Sequence, residues 1–264
     1  MLALISGRGG LPAEVARVQP VAPMICALQG FEPDDVNIDL SFRLEHLGTL
    51  IQQITSRGVT EVCFCGAIER PPFDPAALDE ATLPLVPTMM AAMGAGDDGA
   101  LRAAIALFEK QGFRIRAAHE LAPDLLAKEA VFGSDRLDEA MHSDIARADA
   151  VLKALAPLDV GQGCVVGAGQ VWGIETTGGT NHMLSTLPPQ AAKARAVFVK
   201  APKQGQDMRA DVPTIGPKTV DAVIRAGLAG IVVEAGGVIV LNSDEVERLI
   251  EASGLIFWSR ARTP

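Results

Sequence analysis

The first half of the chain alternates short apolar runs with segments of helical periodicity. The apolar runs lie at residues 2–6, 23–28, 61–68 and 114–118. Between them, leucines and isoleucines recur at helical spacing from Leu44 to Ile54, and similar patterns occupy residues 89–93 and 101–108. Strands that alternate with helices predict a parallel sheet that is covered on both faces. We therefore predict an α/β fold that begins with a Rossmann-like parallel-sheet domain over residues 1–131.

The second half of the chain mixes helices with hairpin patterns. Ser134 is a residue type that caps helices, and apolar positions at helical spacing continue from it to Leu155. Apolar runs flank glycine-containing turns twice, at residues 164–175 and again at 231–241, and each pair predicts a β-hairpin. Ser243 and the acids that follow it begin another helix. We predict a mixed α+β domain over residues 132–264.

Composition and charge narrow the functional classes. The 264 residues carry a net charge of −9, only 4% are aromatic, and there is no tyrosine. An acidic surface repels phosphates and few aromatic rings are available to stack on bases, so we exclude nucleic acid as a partner. The chain has neither a long apolar span nor the basic start of a signal peptide, so we expect a cytoplasmic protein.

The four cysteines lack the spacing of a zinc site. They are Cys26, Cys63, Cys65 and Cys164. The Cys-x-Cys pair lies in an apolar run with no histidine nearby, whereas zinc sites use pairs of the Cys-x-x-Cys kind. We expect reduced thiols in the core.

Glycines gather where the first strand meets the first helix. Residues 7–12 read Gly-Arg-Gly-Gly-Leu-Pro, and glycines in this position let a backbone approach a negatively charged ligand. The third glycine of the dinucleotide fingerprint is replaced by Pro12, and no acidic ribose partner can be assigned downstream. A phosphate contact and a plain tight turn both remain open. A nicotinamide oxidoreductase is an alternative function that rests on this turn alone.

A short basic segment stands out in this acidic protein. Residues 193–218 contain six Lys or Arg side chains and two aspartates. Asp211 lies beyond Lys200, Lys203 and Arg209, before a Pro-Thr-Ile-Gly-Pro turn. A carboxylate there can hold Mg²⁺, and the cations can stabilise charge as a phosphorus–oxygen bond breaks. An ordinary Asx turn with surface lysines is the structural alternative.

Two further segments carry candidate polar groups. Glu175 ends a predicted strand, and Gly179 and Thr180 follow it with groups that can donate hydrogen bonds to a phosphate or a sugar. A glycine-rich connection between a strand and a helix explains that segment equally well. Asp97 and Asp98 follow Gly96, and we interpret them first as helix-capping acids and second as ligands.

Several stretches, taken in order along the chain, resemble one protein family. These stretches are residues 5–12, 96–98, 159–162, 179–180, 200–207, 211–217, 227–230 and 233–236. They are similar to the UDP-2,3-diacylglucosamine pyrophosphatase family of lipid A synthesis in some Gram-negative bacteria, the type unrelated to calcineurin-like phosphoesterases. The resemblance covers essentially the whole chain, and its C-terminal motifs are the specific ones.

The resemblance implies an enzyme. It implies Mg²⁺-assisted hydrolysis of the pyrophosphate of UDP-2,3-diacylglucosamine to UMP and 2,3-diacylglucosamine 1-phosphate (lipid X), with water attacking the α-phosphorus. It also implies a lipid held between two domains, a homodimer and transient contact of a peripheral protein with the inner membrane. No membrane span is expected, so that contact would use apolar surface.

The resemblance assigns one catalytic residue, Asp211, and the other expected site residues come from the candidate segments described above. Asp211 matches the essential aspartate of the family motif Asp-x-Pro-Thr-Ile-Gly, and we expect it to be catalytic and to bind the metal, with Glu175 as a second metal ligand. The residues expected to contact the substrate are Gly9, Gly10, Leu11, Pro12, Gly66, Asp98, Gln162, Gly179, Thr180, Lys200, Lys203, Gln206 and Thr214.

One segment departs from the family pattern. The family usually reads Glu-Gly-Thr-Asp where this chain has Gly178, Gly179, Thr180 and Asn181. Two carboxylates are therefore absent beside the expected site. This departure motivates an alternative function, that of a non-catalytic carrier or sensor of glycolipid.

Overall fold

The computed structural model describes residues 1–68, 73–94, 96–133, 137–209 and 211–261. The chain divides into two compact units: unit 1 comprises Met1–Pro123 and Asp207–Asp211, and unit 2 comprises Asp124–Gln206 and the chain from Val212 onward. The boundary expected between residues 131 and 132 falls inside a strand of unit 2, Ala130–Gly133. Asp207–Asp211, which was expected in the second domain, groups with unit 1.

Unit 1 is built on a five-stranded sheet in which every neighbouring pair is parallel, in the order β3-β2-β1-β4-β5. Its strands are β1 (Leu2–Ser6), β2 (Met24–Leu28), β3 (Leu40–Phe42), β4 (Glu61–Cys65) and β5 (Arg114–Ile115). Its helices are α1 (Leu11–Arg17), α2 (Leu47–Ser56), α3 (Val86–Met93), α4 (Asp97–Lys110) and α5 (Ala118–Leu121). The predicted parallel sheet is confirmed, although β3 was not predicted because only three residues form it.

The core of unit 1 follows the predicted periodicity. Leu47, Leu50, Ile51 and Ile54 are the apolar side chains that α2 buries, and they pack with the buried residues of β1, β2 and β4. All four cysteines are free and buried, as expected. Burial raises the pKa of the Cys26 and Cys164 thiols to about 12, which keeps them protonated and unreactive at neutral pH.

Unit 2 contains a six-stranded mixed sheet in the order β6-β13-β11-β9-β7-β8 and a separate parallel pair, β10 with β12. Its strands are β6 (Ala130–Gly133), β7 (Gly163–Gly167), β8 (Gln170–Ile174), β9 (Val197–Lys200), β10 (Thr214–Ile215), β11 (Gly230–Glu234), β12 (Ile239–Val240) and β13 (Ile256–Arg260). Its helices are α6 (Glu139–Leu155), α7 (Gly179–Ser185), α8 (Pro189–Lys193), α9 (Pro217–Arg225) and α10 (Ser243–Ser253).

The hairpin predicted over residues 164–175 is confirmed, because β7 and β8 pair in antiparallel fashion. The hairpin predicted over residues 231–241 is wrong. Strand β11 lies between β9 and β13, both parallel to it, and β12 pairs with β10 instead. A strand with partners on both edges has no free edge for its neighbour in sequence, and the buried run of β11 is typical of such a central strand.

Helix α6 begins later than predicted. Its N-cap is Asp138, whose carboxylate accepts a hydrogen bond from the backbone N–H of Met141 at 2.8 Å. The predicted cap, Ser134, lies outside the described residues. Within the described ranges, the helices are too short or too polar to cross a bilayer.

A buried carboxylate ties a loop of unit 1 to the start of α2. Glu45 is 2% exposed, and its carboxylate accepts hydrogen bonds from Arg43 Nε at 3.1 Å and from the backbone N–H of Asp74 at 2.8 Å. The hydrogen bond from Arg43 is the main reason that the pKa of Glu45 falls to about 2. A carboxyl group that is more acidic when folded stabilises the fold above its unfolded pKa, and that stabilisation is lost as the pH falls towards the folded pKa.

We predict that Glu45→Gln lowers the free energy of unfolding at pH 7 by about 2–3 kcal/mol, since the ionised carboxylate and its charged hydrogen bond are lost. The difference from wild type should shrink by more than half by about pH 3, because much of the wild-type advantage is already titrated away there. Urea unfolding at a series of pH values measures both effects.

Glu14→Gln is the matched control, because the partner of Glu14 is the exposed side chain of Arg17. Its pH profile should remain close to that of wild type. If the two variants behaved alike, Glu45 would not be the anchor described above.

Candidate active site

The order of strands in unit 1 reverses direction between β1 and β4. The chain passes from β1 outward to β2 and β3, and it then returns to the other side of β1 to form β4. In open α/β sheets, ligands bind outside the carboxyl ends of the strands at such a switch point. The 7–12 turn follows β1 and Gly66 follows β4, so the predicted contact residues of these two segments lie at that edge.

Two backbones approach each other closely at the switch point. The Gly7 N–H donates to the carbonyl of Cys65 at 2.9 Å, and Arg8 and Ala67 exchange two backbone hydrogen bonds of 2.9 Å. A Cβ on Gly66 would lie 2.4 Å from the oxygen of Gly7, and the φ of Gly66 is +91°. Glycine is therefore required at position 66 by packing and by conformation. Its role in the fold is explained without a ligand.

The exposed glycines of the turn have a different character. Apart from the adjacent residues in sequence, no heavy atom of the described residues lies within 4 Å of a Cβ built on Gly9 or Gly10. The φ of Gly9 is +94°, whereas Gly10 has φ −82° and ψ −9°, a conformation that any residue adopts. Neither packing nor conformation explains a glycine at position 10. The side chains of Leu11 and Pro12 are buried in unit 1 and contribute packing instead.

The short segment Asp207–Asp211 groups with unit 1. Arg209 donates to both carboxylate oxygens of Asp207, at 3.0 and 2.8 Å, and to Glu109 of α4 at 2.8 Å. The hydrogen bond from Arg209 lowers the pKa of Asp207, and the same contact raises the pKa of Arg209. Arg209 therefore holds the segment in place. Asp211, the predicted catalytic residue, is half-buried, and its N–H approaches the carbonyl of Asp207 at 3.5 Å.

The residues after Asp211 have structural roles. Val212 is buried, and the Thr214 hydroxyl donates to its carbonyl at 2.9 Å. Ile215 is 1% exposed and belongs to β10, which pairs with β12. Pro217 then opens α9, where a missing N–H has no cost. The predicted contact residue Thr214 thus serves the backbone, and the motif fixes the chain directly beyond Asp211.

In unit 2, three predicted site residues bind each other. The Lys200 ammonium donates to Thr180 Oγ1 at 2.6 Å and to Glu175 Oε1 at 3.2 Å, and the Thr180 hydroxyl donates to Glu175 Oε1 at 2.6 Å. Lys200 is 4% exposed and Glu175 is 9% exposed. The backbone N–H of Gln162, a fourth predicted residue, donates to Glu175 Oε2 at 3.3 Å. Gly179 precedes Thr180 with a φ of +75°.

A second ion pair lies at the same end of β9. The Lys203 ammonium pairs closely with the carboxylate of Asp159, and the Lys203 N–H donates to Gln206 Oε1 at 2.9 Å. The role of Asp159 was not predicted, although its motif was noted. Asp159 adopts a left-handed backbone conformation with a φ of +56°, and the sequence alone does not reveal it. For Asp98, only the backbone is described, in α4.

Unit 2 also contains an open cavity of about 490 Å³ between α6 and the carboxyl ends of β9, β11 and β13. Ile145, Leu152, Val199 and Trp258 give it largely apolar walls. Asp149 and Arg260 also line it, and they form an ion pair with two contacts of 2.6 Å. The cavity and the Lys200 network thus share the end of β9.

The described side chains limit where a metal ion could bind. No three His, Cys, Asp or Glu side chains of the described part of the chain gather in a metal-binding cluster. Glu175 does not fit the role of metal ligand as placed, because the Lys200 ammonium and the Thr180 hydroxyl already contact its carboxylate. Mg²⁺ sites commonly combine one or two carboxylates with substrate phosphates and water. A metal-binding role for Asp211 stays a prediction from the resemblance.

Comparison with known proteins agrees with the motifs. The family model for the LpxI N-terminal domain matches residues 1–125, and the model for the LpxI C-terminal domain matches residues 128–258. UDP-2,3-diacylglucosamine pyrophosphatase LpxI of Caulobacter vibrioides (strain ATCC 19089 / CIP 103742 / CB 15) is 34% identical to this chain, and the match covers 96% of this chain and 95% of that protein. The chain belongs to the LpxI family.

The glycine at position 178, where the resemblance led us to expect a glutamate, lies against a histidine ring. A Cβ on Gly178 would lie 2.6 Å from the imidazole Cδ2 of His182. The His182 ring therefore occupies the space that a larger residue at position 178 would need. In this LpxI family member, Glu175 is the one carboxylate between residues 175 and 182.

Proposed function

We propose that this chain hydrolyses the pyrophosphate bond of UDP-2,3-diacylglucosamine to UMP and 2,3-diacylglucosamine 1-phosphate. The observation that carries the proposal is its relationship to LpxI of C. vibrioides over nearly the full length of both chains. In the reaction, water adds its oxygen to the α-phosphorus, the bond to the bridging oxygen breaks, and that oxygen leaves on the lipid phosphate. The two protons of water are released or shared between the products according to pH.

We assign the central role to Asp211. It follows a segment held by Arg209 and precedes a motif fixed by β10, and both features support a carboxylate of defined position. A preorganised carboxylate can orient the attacking water and accept its proton. Bound Mg²⁺ would neutralise phosphate oxygens, and Asp211 is the residue that we propose to hold it.

We assign part of the substrate contact to the exposed backbone at Gly9 and Gly10. The switch point of a parallel sheet is where such folds bind nucleotides and phosphates. A glycine at position 10 that the protein itself does not require supports close approach of a ligand.

We assign an acyl chain of the substrate to the cavity of unit 2. Its apolar walls suit a hydrocarbon chain, and apolar lining with a few polar groups is typical of ligand sites. Its position at the end of β9 places it beside the start of the loop that continues to Asp211.

A non-catalytic glycolipid carrier is the second candidate function. The absence of carboxylates at residues 178 and 181, together with the engagement of Glu175 by Lys200, favours it. A carrier would retain glycolipid and release no UMP at any Mg²⁺ concentration. The homodimer and the peripheral contact with the inner membrane stay predictions from the resemblance.

We expect Asp211→Asn to reduce UMP release by roughly 100-fold or more, because the variant cannot accept a proton or supply a charge to Mg²⁺. Its thermal midpoint should stay within a few degrees of wild type. The assay follows UMP formation from UDP-2,3-diacylglucosamine in detergent micelles with Mg²⁺ and, separately, with EDTA.

Asp124→Asn is the control for this substitution, since the Asp124 side chain is 95% exposed. It should retain wild-type turnover. Normal UMP release by Asp211→Asn would remove the catalytic assignment, whereas no release by wild type would favour the carrier.

We predict that Gly10→Ala raises the KM for the substrate roughly tenfold without lowering stability. Alanine adopts the same φ and ψ, and it restricts the unfolded chain, so the free energy of unfolding should be unchanged or raised by about 0.4–1 kcal/mol. Steady-state kinetics and urea unfolding measure the two effects.

Gly94→Ala is a matched control, because Gly94 has the same φ of −82° and ψ of −9° at the end of α3 and also has space for a Cβ. It should leave KM unchanged. An unchanged KM in Gly10→Ala would argue that the turn does not contact the substrate.

We predict that Ala150→Trp, which fills the cavity from α6, raises the KM for the diacylated substrate by about tenfold or more, since even one methylene of apolar contact is worth about 1–3 kcal/mol. Inhibition by UMP should not change. Ala154→Trp on the same helix is the control, because Ala154 is exposed and does not line the cavity. Equal effects of the two substitutions would count against an acyl site here.

A further inference from the structure

We propose that Glu175 is a positioning residue that acts through Lys200 and Thr180, and that it contacts neither metal nor substrate. This inference rests on the proposed function for its kinetic consequences. Its structural basis is the hydrogen-bonded arrangement of three side chains in unit 2.

The Glu175 carboxylate is already used on both oxygens. Oε1 accepts from the Thr180 hydroxyl at 2.6 Å and from Lys200 at 3.2 Å, and Oε2 accepts from Gln162 N–H at 3.3 Å and lies 3.4 Å from Lys200 Nζ. A metal ion on this carboxylate would lie close to an ammonium group and would be repelled by it. The arrangement therefore suits an internal ion pair better than a metal site.

The backbone before and at the start of β7 passes close to Glu175. A Cβ on Gly163 would lie 3.0 Å from Glu175 Oε2, and a Cβ on Gly161 would lie 2.0 Å from the Glu175 carbonyl oxygen. Gly161 also has a φ of +57°. The glycines at the start of β7 thus let the chain pass directly beside Glu175.

The network joins four elements that are far apart in sequence. Glu175 follows β8, Thr180 lies in the first turn of α7, Lys200 ends β9, and Gln162 precedes β7. The carbonyl of Gln162 also accepts from the N–H of Ala201 at 3.0 Å. One buried ion pair therefore fixes the start of the loop that leaves β9.

A second contact reinforces the same loop three residues further on. Lys203 pairs with Asp159, which lies just before Gln162 in sequence. The segment 159–162 is thus bound to the segment 200–203 by an ion pair at one end and by the Glu175 network at the other. The loop then continues to Asp211, so a shift at Lys200 changes the geometry from which that loop starts.

A buried ion pair acts as a unit. Removing one partner leaves the other charge buried and unpaired, which is far more destabilising than replacing both by neutral side chains. An internal pair therefore predicts strong coupling between substitutions at positions 175 and 200. Independent roles, with Glu175 on a metal and Lys200 on a phosphate, predict effects that multiply.

The test is a double-variant cycle of Glu175→Gln, Lys200→Met and the two together in the full chain. In EDTA, each single variant should lower the thermal midpoint by roughly 6–20 °C, and the double variant should be more stable than either single variant. Additive losses in the metal-free protein would overturn the pair as a unit.

The kinetic measurement separates positioning from ligation. Below its thermal midpoint, each single variant should lose kcat by about tenfold or more, and the double variant should lose no more than the worse single variant. The Mg²⁺ concentration for half-maximal activity should stay within twofold of wild type. A tenfold rise in that concentration for Glu175→Gln, with multiplied losses in the double variant, would instead assign Glu175 to the metal.

Two further measurements keep the test decisive. Thr180→Val removes only the hydroxyl and should lower kcat with unchanged Mg²⁺ dependence. This variant replaces Glu175→Gln or Lys200→Met in the kinetic test if either of them does not fold. The exposed pair Asp138 and Arg195, substituted in the same way, should show almost no coupling. If wild type releases no UMP, the proposed function fails, and the metal-free cycle still decides whether the pair exists.

Discussion

A buried ammonium group must find a partner, and in unit 2 that requirement organises the candidate site. Lys200 ends the buried strand β9, and its charge is met by Glu175 and Thr180 from two other elements. The Lys200 charge can be buried there because Glu175, which follows β8, and Thr180 of α7 lie within hydrogen-bond distance, and Gln162 before β7 binds Glu175 in turn. Residues spread over about 40 positions of sequence, from Gln162 to Lys200, therefore meet at one ion pair.

The switch point of unit 1 rests on a steric constraint instead. Gly7 and Gly66 allow two backbones to approach too closely for any Cβ, and their glycines are explained by that contact. A Cβ on Gly10 would meet no such contact, so the fold does not require glycine at this position. This is why we propose that its backbone contacts a ligand. Asp211 lies in a third environment, between an arginine-held segment and a short parallel ladder. The first environment is explained by packing, and our proposal gives ligand access to the second and the reaction chemistry to the third.

Periodicity predicted the parallel sheet of unit 1 because its strands are continuous apolar runs flanked by helices. It failed for residues 231–241, where two apolar runs and a glycine turn look like a hairpin although each strand has other partners. The family motifs singled out Asp211 and Lys200 as candidate site residues, and the structure places Lys200 in a buried ion pair. They did not reveal that the Lys200 charge is satisfied internally, because sequence shows a basic residue and not the carboxylate that faces it. Asp159, the partner of Lys203, has a left-handed backbone conformation, and the sequence indicated neither that conformation nor the pairing.

The discontinuity of unit 1 has a consequence for its biosynthesis. Because Asp207–Asp211 groups with residues 1–123, the first unit is completed only after most of the second has left the ribosome. A fragment ending at Pro123 would retain the parallel sheet but would lack both the arginine that meets Glu109 and the acid assigned to the reaction. Two separate genes divided after Pro123 would therefore encode the sheet of unit 1 on one chain and Asp211 on the other. The five residues Asp207–Asp211 are thus a reason for both units to be encoded in one chain.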